Sequence, residues 1–275
     1  MRAEQPPPAP PRTAPIGPID HYWADEAGRK RFVSDLFDRT AHDYDRFERI
    51  LAFGTGSRYR RDALRRAGLG PGMRVLDIAT GTGLVAREAL ALAGESGAVI
   101  GLDPSAGMLA EAHGALPIPL VRAFGERIPC RDSSFDFVSM GFALRHVADL
   151  GMLFREMRRV LRPGGTACIL EITRPASPLA AAAVRTLMTR IAPAFAGGAS
   201  RRADSRKLMT FYWDTIEACV PPGAVLAALE GAGFPAPRRA VSLGLFSEYV
   251  GIAPGDFRDN DGSGRKGIRS LPGQP

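Results

Sequence analysis

Lysine is nearly missing from this chain of 275 residues. It occurs only as Lys30, Lys207 and Lys266, so the net charge of +7 is carried by arginine. Cysteine is scarce too: Cys130, Cys168 and Cys219 are odd in number and widely spaced. That excludes a disulfide framework and predicts reduced, mostly buried thiols in a cytoplasmic protein. No His, Cys, Asp and Glu residues share metal-ligand spacing, so no metal site is expected. No apolar run approaches the roughly 20 residues that span a bilayer, and the N-terminus lacks a basic-then-apolar signal pattern. Aromatics do not interleave with basic residues as on RNA-stacking surfaces, which argues against nucleic acid as a partner. The basic clusters Arg58, Arg60, Arg61 and Arg201, Arg202, Arg206, Lys207 read first as solvated helix faces. Peripheral contact with an anionic membrane stays open as the other reading, as does a homodimer.

What is present is ordinary for a globular protein: 45% apolar and 24% charged residues. Proline-rich residues 1–18 and glycine- and charge-rich residues 254–275 are expected to be disordered tails around one domain, 19–253. Helical spacing of Phe32, Leu36 and Phe37, and again of Tyr44, Phe47, Ile50 and Leu51, makes residues 25–67 a helical cap. From Met73 strand and helix patterns alternate. Strands are expected at Met73–Ala79, Ala98–Asp103, Ile118–Arg122, Phe135–Gly141, Thr166–Ile172, Arg238–Leu243 and Ser247–Ile252, with helices at Gly83–Leu92, Ser105–Ala112 and Leu150–Leu161. Residues 177–220 are too long for a simple connection; Ala180–Ile191 and Arg206–Val220 read as helices joined by a loose Gly197-Gly198 stretch, a lid or substrate wall. The fold class is therefore α/β: a Rossmann-like, seven-stranded, mostly parallel sheet with helices on both faces, a helical N-terminal cap, and a helical insertion before the last two strands.

The most telling stretch is Arg74 to Gly83, R-V-L-D-I-A-T-G-T-G. Val75, Leu76 and Ile78 form a buried strand. Gly81 and Gly83 allow turns and close approaches that a side chain blocks. Asp103 ends the second strand, where a carboxylate can accept from ribose hydroxyls. An adenosine-containing cofactor fits this pattern. Gly81 to Ala86 also fits the dinucleotide pattern G-x-G-x-x-G/A, but Asp77 beside the turn repels a pyrophosphate and favours a ligand carrying a sulfonium and an ammonium. S-adenosyl-L-methionine (SAM) is such a ligand. The stretch resembles motif I of class I SAM-dependent methyltransferases, and Asp103 resembles their ribose-binding acid.

Further segments resemble the ubiquinone/menaquinone biosynthesis C-methyltransferases (the UbiE family). They are Phe32 to Tyr44 with Asp45, Ile128-Pro129 with Ser134-Phe135-Asp136, Gly141 to Val147, Arg159 to Gly165 followed by Glu171, and Phe211 to Ile216. The likeness implies that SAM is held by Asp77, Ala79, Thr80, Gly81, Gly83, Asp103, Pro104, Met108, Gly125, Glu126 and Gly141, with apolar packing and a backbone N–H around Phe124 and Gly125 for adenine. It implies an acceptor held by Tyr44, Phe142 and Tyr212. The chain departs from the family's N-terminal signature at Phe47, Glu48, Ala52, Gly56 and Tyr59.

In an open α/β sheet, ligands sit beyond the carboxyl ends of strands where strand order reverses, here between the first and fourth strands. Arg145 and His146 then face the methyl group and the acceptor. A phenol titrates near 10 and an imidazole near 6.5. Arg145 can stabilise a phenolate and His146 can take the proton. Arg145 paired with Asp149, and His146 as a structural residue, are the plainer alternatives. The expected activity is SAM-dependent methyl transfer to a ring carbon of a small hydrophobic aromatic such as a quinol or phenol. The alternatives are O- or N-methylation in secondary metabolism, a SAM-binding protein without methyl transfer, and an NAD(P) reductase.

Overall fold

The computed structural model describes residues 14–16, 22–23, 25–51, 54–194 and 199–255. Seven strands form one sheet: β1 (Arg74–Ile78), β2 (Ala98–Asp103), β3 (Leu120–Arg122), β4 (Phe135–Gly141), β5 (Leu161–Ile172), β6 (Arg238–Ser242) and β7 (Phe246–Ile252). Their order is β3-β2-β1-β4-β5-β7-β6. The first five run parallel, while β7 lies antiparallel between β5 and β6, so the sheet is mixed with one antiparallel hairpin. Order reverses between β1 and β4, as expected. Strand β5 begins at Leu161 rather than Thr166, because Leu161 already pairs with Phe135 before the register shifts and resumes at Phe137↔Thr166.

A parallel sheet needs cover on both faces, and alternate residues supply it. Val75, Val99 and Phe137 pack towards α2 (Gly56–Arg66) and α3 (Leu84–Ala93). Leu76, Ile78, Val138 and Met140 pack in the other core, with α5 (Leu150–Val160) and α9 (Pro222–Gly231). Helix α4 (Ala106–Ala115) starts at Ser105, whose hydroxyl accepts from the Met108 N–H, and α5 starts at Asp149, which accepts from Met152.

The cap is one long helix, α1 (Glu26–Leu51), followed by α2. The insertion runs from α6 (Pro178–Thr186) through a π-turn, Leu187–Ile191, into α7 (Ala192–Ala194), then to α8 (Ala199–Ala218). Cap and insertion share a third core in which Leu36 and Phe37 meet Met188, Phe211, Tyr212 and Trp213. They form one roof over the sheet.

The proline-rich tail needs one correction. Ile16 is buried and bridges Cys219 in antiparallel fashion, and the Pro15 carbonyl accepts from the Val220 N–H at 2.7 Å. Proline lacks a donor but keeps its acceptor, and Ile16 supplies apolar surface. Residues 1–13, 17–18 and 256–275 of the expected tails, Ala52 and Gly197-Gly198 lie outside the described residues, as do the side chains of Phe47, Ile50, Leu51, Arg201 and Arg202. The basic cluster on α2 is also corrected: Arg60 is buried against Glu48, and Arg61 pairs with Glu88. Three free thiols are described, with Cys168 buried. Among the described residues no cluster is arranged to hold a metal, and no helix is long and apolar enough to cross a membrane.

Candidate active site

The turn after β1 enters left-handed backbone at Ala79 (φ 52°), Gly81 (φ 57°) and Gly83 (φ 89°). The φ of Gly83 calls for glycine, and a Cβ there would also lie 2.5 Å from Leu116 Cδ1, forcing that side chain to turn aside. At Ala79 the strained angle falls on a residue that bears a side chain, a cost concentrated at functional sites. Asp103 ties the turn to β2: one carboxylate oxygen accepts from the Gly81 N–H at 2.9 Å, the other from the Ser105 N–H at 2.8 Å. Burial pushes its pKa up to about 6 against those two hydrogen bonds.

Asp77, also expected to hold the cofactor, sits deeper than Asp103. It is fully buried beneath the turn, accepting from Thr80 Oγ1 at 2.7 Å and Ser139 Oγ at 2.6 Å. Burial pushes it, too, up to about 6. Its position opposite Ser139 in the β1–β4 register sets its carboxylate against that hydroxyl, where it braces the turn.

A cavity of about 120 Å³ opens above the turn. Of the expected cofactor residues, Ala79, Asp103, Pro104, Met108, Gly125, Glu126 and Gly141 line it; Asp77, Thr80, Gly81 and Gly83 do not. Helix α1 adds Arg29, Lys30, Val33, Ser34 and Phe37, which the sequence did not mark as site residues. Their helical spacing was visible, but not which of them faced inward.

A second cavity, about 300 Å³, lies beside the first. Its polar side is Glu48, Thr55, Tyr59, Arg60 and Arg145. Its apolar side comes from the insertion (Val184, Leu187, Met188, Met209), from β5 (Ile172), and from the β6–β7 hairpin (Leu243, Leu245, Phe246). The π-turn thus supplies two of these contacts, Leu187 and Met188; such irregular turns recur at functional sites.

Tyr44, Phe142 and Tyr212 line both cavities. These are the three residues expected to hold an acceptor. Phe142 is held at φ 59°, a second strained non-glycine residue on the site. The Tyr212 hydroxyl donates to that of Tyr44 at 3.0 Å. Burial raises the pKa of both phenols.

Arg145 and His146 share a short 3-10 turn, Leu144–His146, in which successive side chains point about 120° apart. Leu144 enters the core, Arg145 faces the second cavity and His146 the first. Arg145 is 1% exposed; it donates from Nε to Thr215 at 3.1 Å and from Nη1 to Glu171, and lies 4.8 Å over the Tyr212 ring. Glu171, not Asp149, is therefore its partner. Its Nη2 makes no hydrogen bond among the described residues. His146 packs between Phe37 and Phe211, with both ring nitrogens buried and without hydrogen-bond partners. Burial, with Arg145 and Arg29 nearby, holds its pKa well below the usual imidazole value, so the ring is neutral.

The first cavity fits SAM. Asp103 keeps carboxylate lone pairs beyond those used by Gly81 and Ser105, Met108 and Phe124 are apolar lining, and the aromatic wall is of the kind that suits a cationic sulfonium. A phosphate-free adenosine cofactor lying beside a chamber for an apolar molecule is the arrangement of a SAM-dependent methyltransferase. The profile of the ubiE/COQ5 methyltransferase family matches residues 25–245, and the chain belongs to that family. It is 36% identical over 229 residues to the ubiquinone/menaquinone biosynthesis C-methyltransferase UbiE of Syntrophotalea carbinolica, covering 80% of this chain and 94% of that protein. It is likewise 36% identical over 227 residues to the demethylmenaquinone methyltransferase of Mycolicibacterium paratuberculosis, covering 82% and 95%. The fold is similar to the crystal structure of a SAM-dependent methyltransferase from Aquifex aeolicus, with a TM-score of 0.53 and 20% identity over 70% of this chain and 88% of that one. The protein is thus an enzyme that uses SAM on a small-molecule acceptor.

Proposed function

We propose that this enzyme methylates a ring carbon of a small hydrophobic aromatic, a hydroquinone or phenol, held in the second cavity. The observation that carries the reading is the wall of Tyr44, Phe142 and Tyr212 common to both cavities. A donor on one side and an acceptor on the other meet there, and holding two reactants in line is worth on the order of 7–11 kcal/mol. The names of the two curated relatives, both methyltransferases of quinone biosynthesis, support the same acceptor class.

Bound in the first cavity, SAM supplies a methyl group already activated by its sulfonium. The chain then has to orient the acceptor, exclude water and move a proton. The ring carbon is nucleophilic once the adjacent hydroxyl gives up its proton, and after the methyl has moved from sulfur to that carbon, the carbon's own hydrogen leaves as a proton to restore the ring. Arg145, which lines the second cavity, would donate from Nη2 to the hydroxyl oxygen. Because Glu171 neutralises much of the guanidinium charge, Arg145 acts chiefly as an oriented donor. His146 is neutral and able to accept a proton, though its low basicity widens the gap to a phenol beyond the roughly 5 kcal/mol of unperturbed groups. Its buried nitrogens require a ring shift or a water for contact. The aromatic cage and the apolar insertion exclude bulk water.

The test is incubation of the protein with SAM and a short-chain naphthohydroquinone under reducing conditions, with NMR assignment of the new methyl. A methyl on the ring carbon is expected. A methyl on oxygen or nitrogen, or no S-adenosylhomocysteine across a panel of phenols and hydroquinones, would overturn the reading.

A further inference from the structure

Arg60 stands out as a buried cation that methyl transfer does not obviously need. Its side chain is 4% exposed, and Nη2 lies 2.8 Å from Glu48 Oε1. Its Nε is buried without a hydrogen-bond partner. The guanidinium sits 5.4 Å from the centroid of Phe142, so the pair borders the wall between the cavities. Glu48 remains 21% exposed, and its second oxygen makes no hydrogen bond among the described residues. Gly56 makes the pair sterically feasible: a Cβ there would fall 2.0 Å from Glu48 Oε1 and 2.7 Å from Arg60 Nη1. Glu48 and Gly56 are both positions at which the chain departs from the family's N-terminal signature.

A neutral ion pair is a poor trap for a carboxylate, since Glu48 repels it. Side by side, however, an N–H donor and a carboxylate acceptor match a group that both accepts and donates, which is a hydroxyl. A carbonyl has no proton to give. Opposite Glu48 it sets lone pairs against lone pairs in a largely apolar cavity, where an unmade hydrogen bond is costly. We propose that the Glu48–Arg60 pair reads the oxidation state of the acceptor, binding a hydroxyl of the reduced ring and turning away the oxidised quinone. This rests on the reading of the second cavity as the acceptor chamber. It would keep the cavity clear of the unreactive form, because only the electron-rich reduced ring attacks a methyl carbon.

The experiment uses one short-chain naphthohydroquinone as substrate and its own oxidised quinone as inhibitor, with SAM affinity followed in parallel. For the wild-type protein, the inhibition constant of the quinone should exceed the KM of the hydroquinone by about ten- to hundredfold, the range set by one unmade buried hydrogen bond. Glu48→Gln places an amide N–H opposite the carbonyl and should bring the two constants within about threefold. Gly56→Ala, which displaces the pair, should do the same, and unchanged SAM affinity shows that each variant is folded. Equal binding of both redox forms by the wild-type protein would overturn the proposal. So would an undiminished preference in a folded Glu48→Gln variant. Failure of the wild-type protein to methylate any hydroquinone would instead remove the acceptor reading on which the proposal rests.

Discussion

The hydroxyls of Tyr44 and Tyr212 lie 3.0 Å apart on the wall that both cavities share, one from the cap and one from the insertion. This hydrogen bond joins two segments far apart in sequence at the point where a methyl group would cross. Tyr44→Phe and Tyr212→Phe each keep the ring and remove one partner. Each should cost about 1 kcal/mol of stability. A double-mutant cycle by urea denaturation should give a coupling of about 0.5–1.5 kcal/mol; additivity would show that the contact is idle.

Asp103 is expected to make SAM binding depend on pH. Its folded-state pKa is raised to about 6 by burial, and if it holds the ribose, the ionised form is the stronger acceptor. Affinity should hold above pH 7 and weaken as pH falls below about 6, approaching about tenfold per unit. Calorimetry from pH 5 to 8 checks this, and Asp103→Asn should flatten the profile. The same raised pKa has a stability counterpart of opposite sense. The unfolded chain releases this proton near pH 4 and the folded chain near pH 6, so ~3 kcal/mol of folded-state stability is lost as pH rises through that window. Asp103→Asn should escape that loss.

Arg145 and Glu171 form a fully buried ion pair. Arg145→Ala strands the carboxylate and should lower stability by about 3–5 kcal/mol. The double variant Arg145→Met, Glu171→Leu should recover most of that stability and remain inactive. Thermal melts and methyl-transfer assays together separate folding from chemistry; recovery of activity in the double variant would rule out a role for Arg145 at the acceptor.

Two glycines should respond oppositely to alanine. Gly83 combines φ 89° with a Cβ position 2.5 Å from Leu116, so Gly83→Ala should cost more than about 1 kcal/mol and weaken SAM binding. Gly114 lies exposed near the end of α4 with nothing within 4 Å, so Gly114→Ala should stabilise by about 0.4–1 kcal/mol with SAM binding intact. Denaturant midpoints and calorimetry report both.

The sheet is legible in the sequence because a buried parallel strand leaves a dense apolar run that solvated segments do not produce, as in Val75 to Ile78 and Phe135 to Gly141. The glycine turn and the Ser105 cap are legible because their chemistry is local. Contacts across elements are not. The spacing of Arg145 from Asp149 suggests a helical pair, yet the charge is met by Glu171 on β5, and nothing in the linear order marks that neighbour. Arg60 belongs to a basic cluster that reads as solvated, and only the crossing of α1 and α2 sets Glu48 against it. The motif marks Asp77 for the cofactor, but does not show that the β1–β4 register sets it against Ser139. In each case the missing information is which side chains the fold brings together.

Helix α1 is clasped at three places: the Arg29 guanidinium donates to the His146 carbonyl, Asp38 accepts from Ser105 and Gly107, and Asp45 accepts from Thr82 in the glycine turn. The same helix supplies walls to both cavities. Freeing one end of this helix is therefore expected to disturb both chambers together: Asp45→Ala, which removes the clasp on Thr82, should weaken SAM binding and acceptor binding alike, as calorimetry would read.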